Sequence, residues 1–135
     1  MDGDRSRILV VADQSDALLF LFDVLSAEGY FVEGSSSALD ALGYLRRRPY
    51  DAILADACLP EMDGLELLDR IKELRPGTRV ILMGGGAEGV REDSHRRGAE
   101  GMLVKPFRKE ELLRVLGRAL GASAGGALGV RKVPR

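Results

Sequence analysis

Three charged side chains of this 135-residue sequence each stand directly after a short apolar run. Asp13 follows ILVVA, Asp56 follows AILA, and Lys105 follows MLV. Open parallel sheets bind ligands beyond the carboxyl ends of their strands, so strands at these runs would bring the three groups to one edge. Two neighbouring carboxylates repel each other unless cations offset their charge. Lys105 supplies one positive charge, and a divalent ion that prefers oxygen ligands, most naturally Mg²⁺, supplies the rest.

Each of these residues also has a simpler interpretation when it is taken singly. An Asp after a strand commonly caps the next helix, and an isolated Lys is usually a solvated surface charge. By the same reasoning His95, which stands in a charged stretch, is interpreted as solvated, and the run Arg46–Arg48 as cations that favour a helix C-terminus. It is the occurrence of three charged groups at strand ends that favours a site.

A glycine-rich turn follows the apolar run at residues 80–83. Gly84, Gly86 and Gly89 match the G-x-G-x-x-G pattern of a dinucleotide-binding turn. That pattern belongs after the first strand of a dinucleotide fold, whereas here it follows the fourth, and no Lys-Ser or Lys-Thr pair comes next to hold phosphates. We therefore predict no nucleotide site. Because ordering glycine costs the most backbone entropy, we expect this turn and the helix after it to be mobile.

The composition is that of one globular domain with no strong charge bias. Hydrophobic residues make up 45% and charged residues 30%, and 20 basic against 21 acidic side chains leave a net charge of −1. This balance gives no reason to expect binding to nucleic acid or to an anionic membrane. The sequence has no apolar stretch near the roughly 20 residues of a membrane span and no signal-peptide pattern at MDGDRSR. The single Cys58 excludes an internal disulfide, and we expect a cytoplasmic protein.

The spacing of apolar residues predicts five strands and five helices in alternation. The strands are expected at Ile8–Ala12, Tyr30–Val32, Ala52–Ala55, Val80–Met83 and Met102–Val104. The helices are expected at Asp16–Glu28, Ser37–Arg48, Gly64–Leu74, Glu88–Arg97 and Lys109–Leu120, of which the fourth is the least apolar. This alternation predicts an α/β domain with a parallel sheet covered on both faces.

The last part of the chain differs in composition from the rest. Residues 121–135 contain four glycines and three basic residues, and they contain no acidic residue. We predict a domain over residues 7–120, ended by Gly121, and a flexible basic tail or linker over residues 121–135.

Three segments of the sequence resemble the receiver domain of two-component response regulators. They are ILVVAD at 8–13, YDAILADACLPEMDG at 50–64 and GAEGMLVKPF at 98–107. The most specific features are the LPEMDG motif after a strand that ends in Asp and the KPF triplet after the last strand. The resemblance covers roughly residues 7–120. It implies a doubly wound, flavodoxin-like (βα)₅ fold with five parallel strands in the order 2-1-3-4-5.

The resemblance also implies a role for each charged residue. Asp56 is the phosphoacceptor, which takes a phosphoryl group from a histidine kinase or a phosphotransfer protein. Asp13, Asp56 and the backbone carbonyl of Cys58 hold Mg²⁺. Lys105 pairs with Asp56 and then with the phosphoryl oxygens, and the bond before Pro106 is cis. Such a domain is no enzyme beyond its own phosphorylation and dephosphorylation, and it passes its signal to a downstream protein or output domain through its fourth helix, fifth strand and fifth helix.

The sequence departs from the family pattern at three positions. Ala12 stands where the family has a second acid, which removes one carboxylate from the metal site. Gly84 stands where the family has the Thr or Ser whose hydroxyl bonds to the phosphoryl group. Met102 replaces the Tyr or Phe whose ring moves behind that hydroxyl, and its flexible thioether has no defined two-state rotation. The backbone N–H of Gly85 remains available to a phosphoryl oxygen, so the chemistry is expected to survive without the usual switch.

Three functional hypotheses remain open at this point. The first is a phosphorylatable receiver, which the retained Asp13, Asp56 and Lys105 favour. The second is a phosphorylation-independent, receiver-like module for protein interaction, which the three departures favour. The third is a small enzyme on the same fold, such as a flavin binder or an aspartate-based phosphatase, although the D-x-D motif of such phosphatases is absent around Asp56.

Overall fold

The structure, a computed structural model, describes residues 5–85 and 89–123. Strands and helices alternate in these ranges, and every one overlaps the range predicted for it. The strands are β1 (Arg7–Val11), β2 (Phe31–Ser35), β3 (Ala52–Asp56), β4 (Arg79–Gly84) and β5 (Gly101–Val104). The helices are α1 (Ser15–Ala27), α2 (Ala38–Arg47), α3 (Gly64–Leu74), α4 (Val90–Arg96) and α5 (Lys109–Ser123).

The five strands form one parallel sheet in the order β2-β1-β3-β4-β5, which confirms the predicted doubly wound fold. Val11 pairs with Ala55, and Asp56 pairs with Met83, so β1, β3 and β4 end at the same edge of the sheet. Helices cover both faces of these inner strands. This explains why their sequences are continuous apolar runs rather than alternating ones.

The two faces of the sheet carry separate apolar cores because successive side chains of a strand point to opposite sides. Leu9 and Val11 of β1 pack with α2 and α3, whereas Ile8 and Val10 pack with α1 and α5. Burying one Leu or Ile contributes about 2 kcal/mol, so the inner strands are firmly held on both sides. The edge where they end is therefore a rigid platform for side chains.

Side-chain caps begin helices α2 and α3. Ser37 accepts a hydrogen bond from the backbone N–H of Asp40 at 3.2 Å and so begins α2. Asp63 accepts one from the N–H of Glu66 at 2.9 Å and so begins α3. Asp63 belongs to the LPEMDG motif, so part of that motif serves to start a helix beside the sheet edge.

Helix α4 is held to α3 mainly by polar contacts. It is short, and Ser94 is its one buried residue. Arg97 at its end pairs with Asp69 of α3 at 3.0 Å. Next to it, Lys72 of α3 pairs with Glu100 at 3.2 Å. Partly exposed ion pairs contribute about 1 kcal/mol or less each, so this attachment is weaker than that of the other helices.

Most predicted boundaries differ from the observed ones by one or two residues, and two differ by three. The second strand was expected to end at Val32, but β2 continues to Ser35. The last helix was expected to stop at Gly121, but α5 continues to Ser123. Gly121 is not among the described glycines with positive φ, so it does not form the left-handed cap that ends many helices.

Two other predictions fall on residues outside the described ranges. The predicted flexible tail lies mostly at residues 124–135, and the predicted mobile turn includes residues 86–88. Both therefore stay predictions. Among the helices in the described ranges, none has the length and apolar character needed to cross a membrane.

Candidate functional site

An ion pair between Asp56 and Lys105 forms the centre of the candidate site. Asp56 is the last residue of β3 and is 5% exposed, and Lys105 directly follows β5. The Lys105 Nζ lies 2.6 Å from Oδ1 of Asp56, although β4 separates the two strands. A buried carboxylate without a partner would be strongly unfavourable, and Lys105 provides the compensating charge. The sequence-based expectation that these two groups meet is confirmed.

Two backbone features lie next to Lys105. The Lys105–Pro106 peptide bond is cis, as the family resemblance implies. The N–H of Lys105 also donates to the carbonyl of Gly84 at 2.7 Å. The ends of β4 and β5 are thus joined immediately beside the ion pair.

Asp13 lies beyond the same edge of the sheet, two residues after β1. It is exposed, and no hydrogen bond or ion pair joins it to another residue of the described ranges. Ala12 before it is completely buried. The described residues contain no group of three His, Cys, Asp or Glu side chains suited to a metal ion.

The donors present at this edge still fit Mg²⁺. This ion typically keeps several waters and takes one or two carboxylates from the protein. The carboxylates of Asp13 and Asp56, which both follow strands at this edge, match that number, and the family resemblance implies the backbone carbonyl of Cys58 as a further oxygen donor. The Cys58 thiol is free and exposed. Sulfur is a poor ligand for magnesium, so the donor set needs only the backbone of this residue.

The end of β4 presents no side chain to the site. A Cβ placed on Gly84 would lie 3.0 Å from Cβ of Ala57 and 3.5 Å from Cε of Met102. Met102 is 9% exposed, so its methyl group is packed inward beside the glycine. Gly84 and Met102 therefore occupy adjoining positions, and a Cβ at Gly84 would be in ordinary van der Waals contact with the thioether.

A cavity of about 320 Å³ lies between α4 and β5, next to Met102. Arg91, His95 and Glu100 line it together with the apolar Ala99. Its lining does not include Asp13, Asp56 or Lys105, so it is separate from the ion pair. His95 is exposed at this surface, in agreement with its interpretation as a solvated residue.

The residues that shape the loop after Asp56 were not assigned a role from the sequence. The N–H of Gly64 donates to the carbonyl of Ala57 at 2.7 Å. A Cβ on Gly64 would lie 2.7 Å from Cα of Ala57, so no other residue fits without moving the backbone. The signal was present in the MDG end of the motif, since an isolated glycine at a helix start can mark a close backbone approach.

Glu61 fastens the same loop to α2. Its Oε1 accepts a hydrogen bond from the N–H of Ala38 at 3.1 Å. This backbone hydrogen bond lowers the pKa of Glu61 from its ordinary value, because it stabilises the charged carboxylate. The loop that carries Cys58 is thus attached both to the first turn of α2 and, through Gly64, to the end of β3.

Comparison with known proteins agrees with this geometry. Residues 8–117 match the model of the response regulator receiver domain. The chain belongs to the response regulator receiver family. Its receiver domain is 31% identical over 118 residues to the response regulator receiver protein CpdR of Brucella abortus, which covers 87% of this chain and 98% of CpdR. It is 34% identical over 109 residues to sporulation initiation phosphotransferase F of Bacillus subtilis, covering 80% of this chain and 88% of that protein.

Solved structures show the same receiver fold. A CheY-like response regulator receiver domain protein from Methanospirillum hungatei aligns with a TM-score of 0.86 and 31% identity, over 91% of this chain and 99% of that one. NtrX from Brucella abortus aligns with a TM-score of 0.85 and 32% identity, over 91% of this chain but only 28% of NtrX. Receiver domains of this family thus occur both as nearly whole chains and as parts of longer regulators.

Proposed function

We propose that this receiver domain accepts a phosphoryl group on Asp56 from the phosphohistidine of a histidine kinase or a phosphotransfer protein. The observation that carries the proposal is the buried Asp56 carboxylate with Lys105 Nζ at 2.6 Å. A carboxylate oxygen attacks phosphorus, the P–N bond to the imidazole breaks, and an acyl phosphate forms while the freed imidazole takes up a proton. Lys105 neutralises charge on the phosphoryl oxygens, which is the main requirement of such a transfer.

The acidic edge of the sheet supports a requirement for Mg²⁺. Asp13, Asp56 and the carbonyl of Cys58 would hold the ion, which when bound would neutralise further charge on the phosphoryl oxygens. With one carboxylate fewer than the family pattern, we expect weaker metal affinity. The N–H of Gly85, which directly follows β4, replaces the missing hydroxyl as a donor to the phosphoryl group.

The signal then leaves through a protein partner or an output domain that contacts α4, β5 and α5. The cytoplasm is the expected compartment, because histidine kinases transfer phosphate there. The weak attachment of α4 to α3 supports a surface that can respond at this position. Direct contact with nucleic acid or membrane is not part of the proposal.

A second candidate function is a phosphorylation-independent interaction module. The packing of Met102 against Gly84 favours it, because these residues lack the hydroxyl and the ring that move in the family's usual switch. In this alternative the same surface binds its partner whether or not Asp56 carries phosphate.

Intact mass spectrometry after incubation with Mg²⁺ and acetyl phosphate distinguishes the two functions. The proposal predicts a gain of one phosphoryl group on the wild type and none on Asp56→Asn. A separate NMR titration, which follows the amides near Asp13 as Mg²⁺ is added, shows whether the acidic edge of the sheet binds the ion. A mass that stays unchanged with acetyl phosphate and with a panel of histidine kinases would overturn the proposal and favour the interaction module.

A further inference from the structure

Helix α1 leaves large apolar side chains exposed to solvent. Leu19 is 61% exposed, Phe22 is 46% exposed and Phe20 is 43% exposed. The buried side of the helix already contains Leu21 and Leu25, so these three residues are not needed by the core. Exposed apolar residues that cluster on one element commonly mark a surface that another segment covers.

The same outer face of α1 is acidic. Asp16 and Asp23 are seven residues apart, which places them on one stripe opposite the buried side. Leu19 and Phe22 flank this stripe on one side, and Phe20 flanks it on the other. No ion pair joins either Asp to another residue in the described ranges. The sequence from Ile8 to Leu45 contains six acidic residues and no basic one.

The chain itself contains a segment with the complementary composition. The sequence GVRKVPR at 129–135, termed here the basic segment, combines Arg131, Lys132 and Arg135 with apolar Val130 and Val133, and it has no acidic residue. We propose that the basic segment docks on the outer face of α1 within the same molecule. Its cations lie along the Asp16–Asp23 stripe, and its valines cover the flanking Leu19 and Phe22.

The position of α5 makes this contact reachable. Helices α1 and α5 pack into the same core on one face of the sheet, and the chain leaves α5 at Ser123. The twelve residues that follow span up to about 40 Å when extended, and α1 is about 20 Å long. A second copy of the chain is a poorer occupant. In a symmetric contact the two α1 helices would face each other, and Asp16 and Asp23 of one copy would repel the same two residues of the other.

The strength of the contact follows from its exposure. Charges at a protein surface are screened by salt over about 10 Å at 0.1 M ionic strength, so the docked fraction falls as salt rises. The apolar part of the contact does not depend on salt in this way. We therefore expect docking at low ionic strength, and we expect it to weaken as salt is added. The apolar contact with Leu19 and Phe22 should keep a part of the affinity at high salt.

Paramagnetic NMR on the full chain tests the proposal. A nitroxide is attached to Pro134→Cys in a Cys58→Ser background, and amide signals are compared with the reduced, diamagnetic label. Docking predicts selective loss of signal at residues 16–23 of α1, which diminishes at high salt and in Arg131→Glu/Lys132→Glu. The variant Leu19→Ser/Asp23→Asn should restore these signals. The matched control Leu39→Ser/Asp40→Asn, an exposed apolar and acidic pair on α2 at the opposite face of the sheet, should not.

Two results would overturn the proposal. Broadening confined to the end of α5 and its neighbours would show that the basic segment does not reach α1. Broadening of α1 only when isotope-labelled chains are mixed with separate, spin-labelled chains would show that the occupant is a second molecule. Neither result depends on whether Asp56 accepts phosphate.

Discussion

Strands β3 and β4 end side by side, yet their last residues differ in what they bring to the site. β3 ends in Asp56, whose buried charge is matched by Lys105 at 2.6 Å. β4 ends in Gly84, which has no side chain, and the methyl group of Met102 packs beside it. In the function proposed above, Asp56 at the end of β3 and its partner Lys105 accept the phosphoryl group, whereas β4 lacks the hydroxyl with which the family transmits that event. The proposed function therefore predicts that acceptance and transmission depend on different residues and can change separately.

The largest effect is expected from a substitution of Lys105, which pairs with the proposed phosphoacceptor Asp56. Lys105→Met removes the ammonium group that faces Asp56 and the transferring oxygens. Loss of one such stabilising group commonly slows a reaction by about 100-fold, so the initial rate of mass gain with acetyl phosphate should fall by about that factor. Lys109→Met, an exposed lysine at the start of α5, serves as the control, and an equal loss in that variant would contradict the assigned role.

A change at Gly64 tests whether the backbone beneath the acceptor must stay rigid. Gly64→Ala puts a Cβ 2.7 Å from Cα of Ala57, and we expect a loss of about 3 kcal/mol in the free energy of unfolding because backbone cannot yield cheaply. Urea unfolding measures it. Gly43→Ala is the matched control, because nothing lies within 4 Å of its Cβ and α2 should gain about 0.5 kcal/mol. Equal stability of the two variants would refute the close approach.

A third variant restores the two residue types with which the family transmits phosphorylation, at Gly84 and Met102. Gly84→Thr with Met102→Tyr returns the hydroxyl and the ring, at a cost of about 1 kcal/mol because the new Cβ lies 3.0 Å from that of Ala57. Hydrogen exchange of α4 is compared before and after phosphorylation. We expect a small change in the wild type and a larger one in the double variant. Gly85→Ser, which adds a hydroxyl with nothing within 4 Å of its Cβ, should behave as the wild type. A large response of α4 in the wild type would show that transmission does not need the hydroxyl and the ring.

The smallest effect is expected at Tyr50, which lies away from both strand ends. Burial and a hydrogen bond to Glu33 raise the pKa of Tyr50 to about 12. Because this value lies above the usual pKa of about 10, the neutral phenol stabilises the fold below pH 10 and that contribution is lost as the pH rises toward 12. Tyr50→Phe should cost about 1 kcal/mol at pH 8 and flatten the decline of stability above pH 10.

Urea unfolding at several pH values checks this prediction, with Tyr44→Phe as the control. Tyr44 keeps its ring beneath Arg47 in that variant, at 5.6 Å from the guanidinium. Phosphorylation of Asp56 should be unchanged by either substitution. An unchanged pH profile in Tyr50→Phe would show that the Glu33 contact does not stabilise the fold.

The elements predicted best from the sequence are those buried on both sides. β1, β3 and β4 form continuous apolar runs because helices cover them on each face, so their positions are visible in the sequence. β2 is an edge strand, and its second half contains Glu33 and Gly34, which face a less covered environment. Its apolar signal therefore ends at Val32 although the strand continues to Ser35.

The sequence predicted which residue types form the candidate site. It predicted much less of how the residues around the site pack against one another. The strand ends indicated that Asp56 and Lys105 meet, because topology alone brings the carboxyl ends of parallel strands together. The close approach of Gly64 to Ala57 and the inward placement of Met102 depend on distances of a few ångströms between separate elements. Such distances leave only a faint trace in a single sequence, here a glycine at the start of α3.

The loop between Asp56 and Gly64 is fastened at both its base and its middle, by the Gly64–Ala57 hydrogen bond and by Glu61 on Ala38. A loop held in this way has a fixed length, since one residue added or removed would break at least one attachment. Related sequences should therefore vary here by substitution, at exposed positions such as Pro60, and insertions should be found instead in connections without such anchors.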